Sequence, residues 1–464
     1  MSRILQTEYH TRIPAYVREC MTALKTAGFE VCLVGGAVRD FITCGNPLDF
    51  DLATDATPDQ ILDVFSERKT VTAGMKHGTV TVIVNRKAVE ITTFRIEGKY
   101  TDNRRPDSVT FSKSLEEDVL RRDFTINSLA MDPDGRILDF TGGIDDIQNG
   151  IVRAVGDPEL RFGEDALRIL RALRFASTLG FLIEKNTGTS LIKCRDLLRN
   201  IAIERVWHEF SGIVCGKNVR RVMDEYFDVF AVIIPEIVPM RHFDQHSPYH
   251  RYDVWEHTIR VMENTPPNAI LRFAALFHDI GKPSTFTKGT DGVGHFYGHE
   301  AAGSIIAAEV LNRFKCDSKT RAAVLALVSL HCVPIDPDEK MIKRRLNQHG
   351  EVLVGQLLEL KLADVGAQAE TLAYRKDIVR QTMEMTAEII AKGECFSLSD
   401  LAVNGNDLTG LGMKPGKEVG DLLVILLENV IQKKISNERD ALIAYAKKQI
   451  CGQSDKVSKN PVEL

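Results

Sequence analysis

Asp49 and Asp51, in LDFDLAT, are separated by one residue, and the pair Gly35-Gly36 stands twelve residues ahead of them. In an extended strand side chains alternate faces, so the two acids share one face and Phe50 turns to the core. Two carboxylates a few ångströms apart repel unless a cation sits between them, and phosphoryl transfer uses such a clamp to hold two magnesium ions. The glycines let the backbone approach a triphosphate and offer it N–H groups. Alone, the two acids read as an Asx turn with solvated carboxylates; the ordered combination with the glycines is far more specific.

A short strand carrying such a pair needs a sheet behind it. The first 140 residues hold nearly all of the strand signal, in VCLVGG, FDLAT, TVTVIVN, AVEITTFRI and RILDF, with helical pattern at 11–27 and 57–66. From about residue 143 the apolar period becomes 3.6 and stays there. The predicted fold is therefore α+β: an N-terminal head with a small mixed sheet, then an all-α remainder. At 464 residues the chain exceeds what one core usually holds. Hydrophobic residues at 44% and charged residues at 27% are ordinary for a globular protein, and no apolar run approaches a membrane span. The N-terminus shows no apolar signal core, and the nine cysteines are scattered without a CxxC pair, as suits reduced thiols in the cytoplasm. With a net charge of −5, any nucleic-acid surface must be a local patch.

The GG, gap and D-h-D order resembles the nucleotidyltransferase superfamily of DNA polymerase beta, whose third acid comes from a following strand; Glu90 in AVEITTF is the candidate here. RRDFTIN (121–127), LDFTGGIDDI (138–147), EDALRILRALRFA (164–176) and IERVWHEF (203–210) then follow in the order of the class II tRNA nucleotidyltransferases, the CCA-adding enzymes and their poly(A) polymerase relatives. The resemblance covers roughly residues 30–215, with a weaker echo in LAVNGNDL (401–408). It implies that Gly35, Gly36, Arg39 and Arg122 contact a nucleotide and that Asp123 and Asn127 order its ribose side. Asp165 and Arg168, three apart on a helix, share a face. A carboxylate accepts from an exocyclic amine and a guanidinium donates to a ring acceptor, so the pair accepts cytosine and adenine and rejects uracil and guanine. Arg171 and Arg174 extend this face into a cationic stripe for a triphosphate. Family members that add only CC lack a segment between the first two motifs; here residues 92–120, with the charged DNRRPD core, look complete. Addition of the final A is expected, although an A-only enzyme keeps the segment too.

The second half carries another constellation: His257 in YDVWEHTIRV, His278-Asp279 in FAALFHDIGKP, and Asp364 in LKLADVGAQ. Adjacent His and Asp on a buried helix are costly unless a metal binds both. The set resembles the HD phosphohydrolase superfamily, which implies an unidentified divalent metal on these four residues, with His299 and His331 able to hold a second. Lys282 is placed to steady a phosphate.

The expected organisation is a nucleotidyltransferase head (1–142), a helical neck with the nucleotide template and RNA-binding motifs (143–235), an HD domain (236–375) and a helical tRNA-binding tail (376–464). The expected function is CCA addition and repair on the tRNA 3′ end from CTP and ATP, with magnesium on Asp49 and Asp51 and no membrane partner. An A-adding enzyme and a bacterial poly(A) polymerase are the alternatives within the class. The latter usually carries a long basic C-terminus, unlike SDKVSKNPVEL. The alternative from another class is an HD phosphohydrolase whose N-terminal half merely binds RNA. Oligomeric state is not legible in the sequence.

Overall fold

A computed structural model of the chain describes residues 3–43, 45–98 and 108–457, with side chains as far as 450. It divides into two compact units, Met1–Val238 with Val310–Cys316, and Pro239–Glu309 with Asp317–Leu464.

The first unit is built on an eight-stranded mixed sheet. Across it the strands run Arg3–Gln6, Arg136–Asp139, Leu129–Met131, Val31–Val34, Asp51–Thr54, Lys87–Thr93, Thr79–Val84 and Lys69–Val71. All pairs are antiparallel except the Asp51 and Lys87 strands, which run parallel with Asp51 opposite Glu90. The Thr79–Val84 strand alternates half-buried threonine and isoleucine with buried valine, the period-2 signature of a strand with one face in the core. The predicted strands and the helices Ala15–Thr26 and Pro58–Val64 all form; the strands at Arg3, Lys69, Val109 and Leu129 carry three or four residues each and were too short to stand out. Asp51 is the first residue of its strand, so Asp49 and Phe50 lie on the approach to it, and Phe50 is half-buried against Phe41 rather than a core residue.

The helical part of this unit begins at Gly143. Helix Leu167–Leu179 ends at Gly180 in the left-handed conformation (φ +80°), where a side chain would meet Asn218. This helix packs on Ile203–Val214, and the apolar side of the latter carries Phe210 against Phe230 and Phe314.

The second unit is helical, with one two-residue hairpin among its described residues. Its helices Val254–Asn264, Ala269–Phe277 and Glu339–Gly366 pack around a core containing Trp255, Phe273 and Phe277. Gly350 breaks the last of these with φ +77°. A separate apolar cluster, from Cys395 to Ala446, forms the core of the last helices.

Candidate active site

In the first unit one cleft of about 1070 Å³ collects Gly35, Gly36, Arg39, Asp49, Asp51, Arg122, Asp123, Asn127, Asp165, Arg168, Arg171 and Arg174. Thus twelve of the thirteen sequence-predicted positions of this site share it, and Glu90 stands beside Asp51 in register on the neighbouring strand. Gly35 lies at φ +73° and turns the Val31–Val34 strand into the helix Gly36–Ile42; a β-branched side chain there would strain the turn. Its N–H is spent on the Leu129 carbonyl, so the donor available to a ligand is that of Gly36, in the first helical turn where N–H groups have no intrahelical acceptor. Burial, then Glu90 and Asp49, raise the Asp51 carboxyl above its ordinary range against the opposing pull of Arg122. Carboxylates crowded in this way are relieved by a bound cation, and their hard oxygens suit a divalent ion such as magnesium.

Two expectations need correction. Asp165 is not on a helix with Arg168. The helix Pro158–Glu164 ends there, Asp165 is extended (φ −134°, ψ 103°), and a new helix starts at Leu167, whose N–H Asp165 accepts at 3.1 Å. Both residues still line the cleft, but from either side of a break between two helices. Nor are the arginines an uncompensated stripe. Arg168 donates to Glu164 (2.6 Å) and to the carbonyls of Arg161 and Arg121 (3.2 Å each), using three of its five donors. Arg171 pairs with Asp123 at 2.6 Å and Arg174 with buried Glu209 at 2.6 Å.

These contacts form one network. Arg39 donates to Asn127 (2.7 Å) and pairs with Asp40 (2.7 Å), Asn127 donates to Asp123 (3.3 Å), and Asp123 holds Arg171. Burial alone would raise the Asp123 carboxyl, but Arg171 brings it below its usual range. Arg39, Arg171 and Arg174 surround the Phe175 ring at 5.2, 5.5 and 4.6 Å. Sequence reasoning missed Glu164, Arg205, Glu209 and Phe175. Arg205 pairs with Asp165 at 3.0 Å; it and Glu209 sit four apart in IERVWHEF, a helical spacing that could have flagged them. The cleft lining carries eight arginines against six acids, so its field favours an anionic ligand despite the acidic chain.

The second unit brings its predicted ligands together as well. His257 Nε2 lies 3.0 Å from Asp364 and 3.5 Å from Asp279 Oδ2, and His278 Nε2 lies 3.2 Å from Asp279 Oδ2. His299 and His331 approach the other oxygen, Asp279 Oδ1, at 3.5 and 3.9 Å. His257 Nε2, His278 Nε2 and Asp279 Oδ2 are buried and converge on one point, and such a donor set has the chemistry of a divalent-cation site. Burial works against the Asp279 charge, yet His278 and Lys282 hold its carboxyl well below the usual range. Burial lowers His331 to about 4, leaving a neutral imidazole at pH 7. Lys282 is not presented to a ligand as expected: it is buried, 2.7 Å from Asp279 and donating to Gln245 at 2.8 Å. The sequence reading also passed over His250, edge-on to His257 at 5.1 Å, and Cys332 beside His331.

A mixed sheet that presents paired acids and a glycine turn to a cationic cleft defines a nucleotidyltransferase. Residues 31–153 match the poly A polymerase head domain, residues 180–240 the probable RNA and SrmB-binding site of polymerase A, and residues 303–446 the putative domain 2 of tRNA nucleotidyltransferase. The chain is 35% identical to a CCA-adding enzyme of Ligilactobacillus salivarius over 92% of its own length and 94% of that protein's. It is 33% identical to that of Leuconostoc mesenteroides, over 94% and 96%. Its fold is similar to the crystal structure of the Bacillus stearothermophilus CCA-adding enzyme in complex with CTP, with a TM-score of 0.72 and 27% identity over 95% of this chain and 98% of that one. The chain belongs to the CCA-adding enzymes, which are tRNA nucleotidyltransferases. Such nucleotidyltransferases depend on a divalent metal. Among the described residues no helix is long and apolar enough to cross a membrane.

Proposed function

We infer that this tRNA nucleotidyltransferase builds and repairs the 3′-terminal CCA at the cleft of its first unit, by in-line attack of the tRNA 3′-hydroxyl on the α-phosphate of CTP and then ATP, with pyrophosphate leaving. The observation that carries the reading is the convergence of Asp49, Asp51 and the Gly35 turn on an arginine-lined cleft. Asp49, Asp51 and Glu90 would hold magnesium, which when bound neutralises phosphate charge and acidifies the attacking hydroxyl. The Gly36 N–H, Arg39, Arg122, Arg171 and Arg174 bind and orient the triphosphate; Asp123 and Asn127 order the ribose; Asp165 and Arg168 read the base edge. Partial compensation of the arginines by Asp123 and Glu209 keeps them oriented before the nucleotide arrives.

The test is a radiolabel assay offering tRNA without CCA to each nucleotide separately and to CTP and ATP together. CTP alone should extend the tRNA by CC, and both nucleotides should complete CCA. Addition of A to CC-ended tRNA with no incorporation of C would make it an A-adding enzyme, and untemplated A runs on any RNA would make it a poly(A) polymerase.

For the second unit we propose a divalent-metal-dependent phosphohydrolase acting on small phosphoesters such as 2′,3′-cyclic nucleotides. The convergence of the buried His257 and His278 Nε2 atoms on the Asp279 and Asp364 carboxylates supports it. His257, His278, Asp279 and Asp364 would hold a metal, with His299 and His331 serving a second; when bound, such an ion would supply the Lewis acidity that phosphoester hydrolysis needs near neutral pH. The same proposal includes the four segments 1–142, 143–235, 236–375 and 376–464 as head, neck, HD domain and tail. It also includes a cytoplasmic location, supported by the bacterial relatives.

A further inference from the structure

His299 and His331 pose a question of their own. Each uses its Nδ1 on a backbone carbonyl, His299 on Phe296 at 2.8 Å and His331 on Val328 at 2.7 Å. A carbonyl can only accept, so in the neutral ring the proton resides on Nδ1 and Nε2 carries a lone pair. The two Nε2 atoms nevertheless face one another at 3.1 Å. Two lone pairs at that distance, with the Asp279 carboxylate 3.5 Å from one and 3.9 Å from the other, repel unless a cation lies among them. The Nδ1-to-carbonyl bond is also the arrangement that aims an imidazole at a metal.

Cys332 completes the group. Its Sγ lies 3.2 Å from His331 Nε2 and 3.6 Å from His299 Nε2, and the three donor atoms all fall within 4.8 Å of one another. With zinc–nitrogen bonds near 2.0–2.1 Å and zinc–sulfur near 2.3 Å, the edges of a tetrahedral site are roughly 3.4 Å between nitrogens and 3.6 Å between nitrogen and sulfur. The distances here match those edges to within about half an ångström.

We propose that the second metal position beside the His278-Asp279 pair is a mixed nitrogen, sulfur and oxygen site, in which His299, His331, the Cys332 thiolate and Asp279 Oδ1 hold zinc or a similarly borderline ion. The proposal rests on the metal-site reading of the second unit and adds to it a ligand and a class of metal. A thiolate is a poor partner for magnesium and a good one for zinc, cobalt or iron. The two metal positions of this unit then differ: His257, His278 and Asp364 offer only nitrogen and oxygen, while the second position discriminates by softness. Asp279 stands between the two sets, with Oδ2 towards His257 and His278 and Oδ1 towards His299 and His331.

The test uses the full chain, stripped with a chelator and reloaded with zinc or cobalt alone, with metal content read by mass spectrometry and the cobalt form by absorption. Wild type should retain about two zinc equivalents per chain and show a thiolate-to-cobalt charge-transfer band in the near ultraviolet. Cys332→Ser should lose the band and about one equivalent, with an unchanged far-ultraviolet circular dichroism spectrum. His299→Ala, which leaves every cysteine in place, should lose the same band, whereas His278→Ala should lose metal and keep it. Bound metal without a band in wild type, or a band that survives Cys332→Ser, overturns the cysteine ligand and leaves the metal reading of the unit standing. No retained metal in wild type overturns both.

Discussion

Asp51 shows how one residue takes its character from its neighbours. Its carboxyl is raised by burial and by Glu90 and Asp49, and a metal that relieves this repulsion is also the group that neutralises the triphosphate. Asp49→Ala or Asp51→Ala should therefore cut CTP and ATP incorporation by at least about a hundredfold while tRNA binding persists; single-turnover rates within tenfold of wild type would remove the metal assignment. Base choice should separate from chemistry at Arg168. Since Glu164 and two backbone carbonyls fix its guanidinium plane, Arg168→Ala should weaken discrimination against UTP and GTP by about 1–3 kcal/mol. Glu164→Gln should do the same in part, as the guanidinium loosens. Competition assays with both variants check this, and unchanged selectivity in Arg168→Ala would assign base reading to other residues.

At the scale of elements, the antiparallel ribbon of Arg95–Glu97 with Val109–Phe111 brings both ends of the intervening segment together, Gly98 donating to Ser108 at 2.9 Å. Arg95 and Glu97 line the cleft. Residues 99–107, which include the DNRRPD core, lie outside the described residues. Substitutions within 98–108 should stall the product at CC, because the last step alone asks the pocket to take a purine; sequencing gels showing equal loss of all three additions would contradict this. A second element-scale case is Glu339, at the start of its helix, where hydrogen bonds from Lys343 and Lys433 bring its carboxyl down to about 2. Depressed acids stabilise the fold above their unfolded pKa and lose that contribution as pH falls. The urea-stability difference between wild type and Glu339→Gln should be up to about 1 kcal/mol at neutral pH, begin to shrink below about pH 4.5, and be lost as pH falls through about 2.

Over the whole molecule, the two candidate sites draw on different units and different elements. The double variant His278→Ala with Asp279→Ala should abolish hydrolysis of cyclic and simple phosphoesters in magnesium, manganese, nickel or cobalt and leave CCA addition largely intact. Hydrolysis by the double variant at the wild-type rate would mean that the HD set does not catalyse it.

What the amino-acid order determined unaided is whatever depends on spacing along the chain. The strands around Val31, Asp51 and Thr79 alternate or run apolar, the helices follow 3.6 periodicity, and the glycine turn precedes the acids by a fixed interval. Those regularities made the α+β head, the family and the identity of most cleft residues legible. Position within a regular spacing failed where the helix is interrupted: three residues from Asp165 to Arg168 read as one helix face, yet one helix ends at Glu164 and the next begins only at Leu167. Tertiary structure alone decided which charges meet. Glu209 lies 35 positions from Arg174, Asp123 lies 48 from Arg171, and Cys332 lies 33 from His299. Coulomb and ligand interactions act over a few ångströms of space, whatever the distance along the chain, so no local pattern could have paired them.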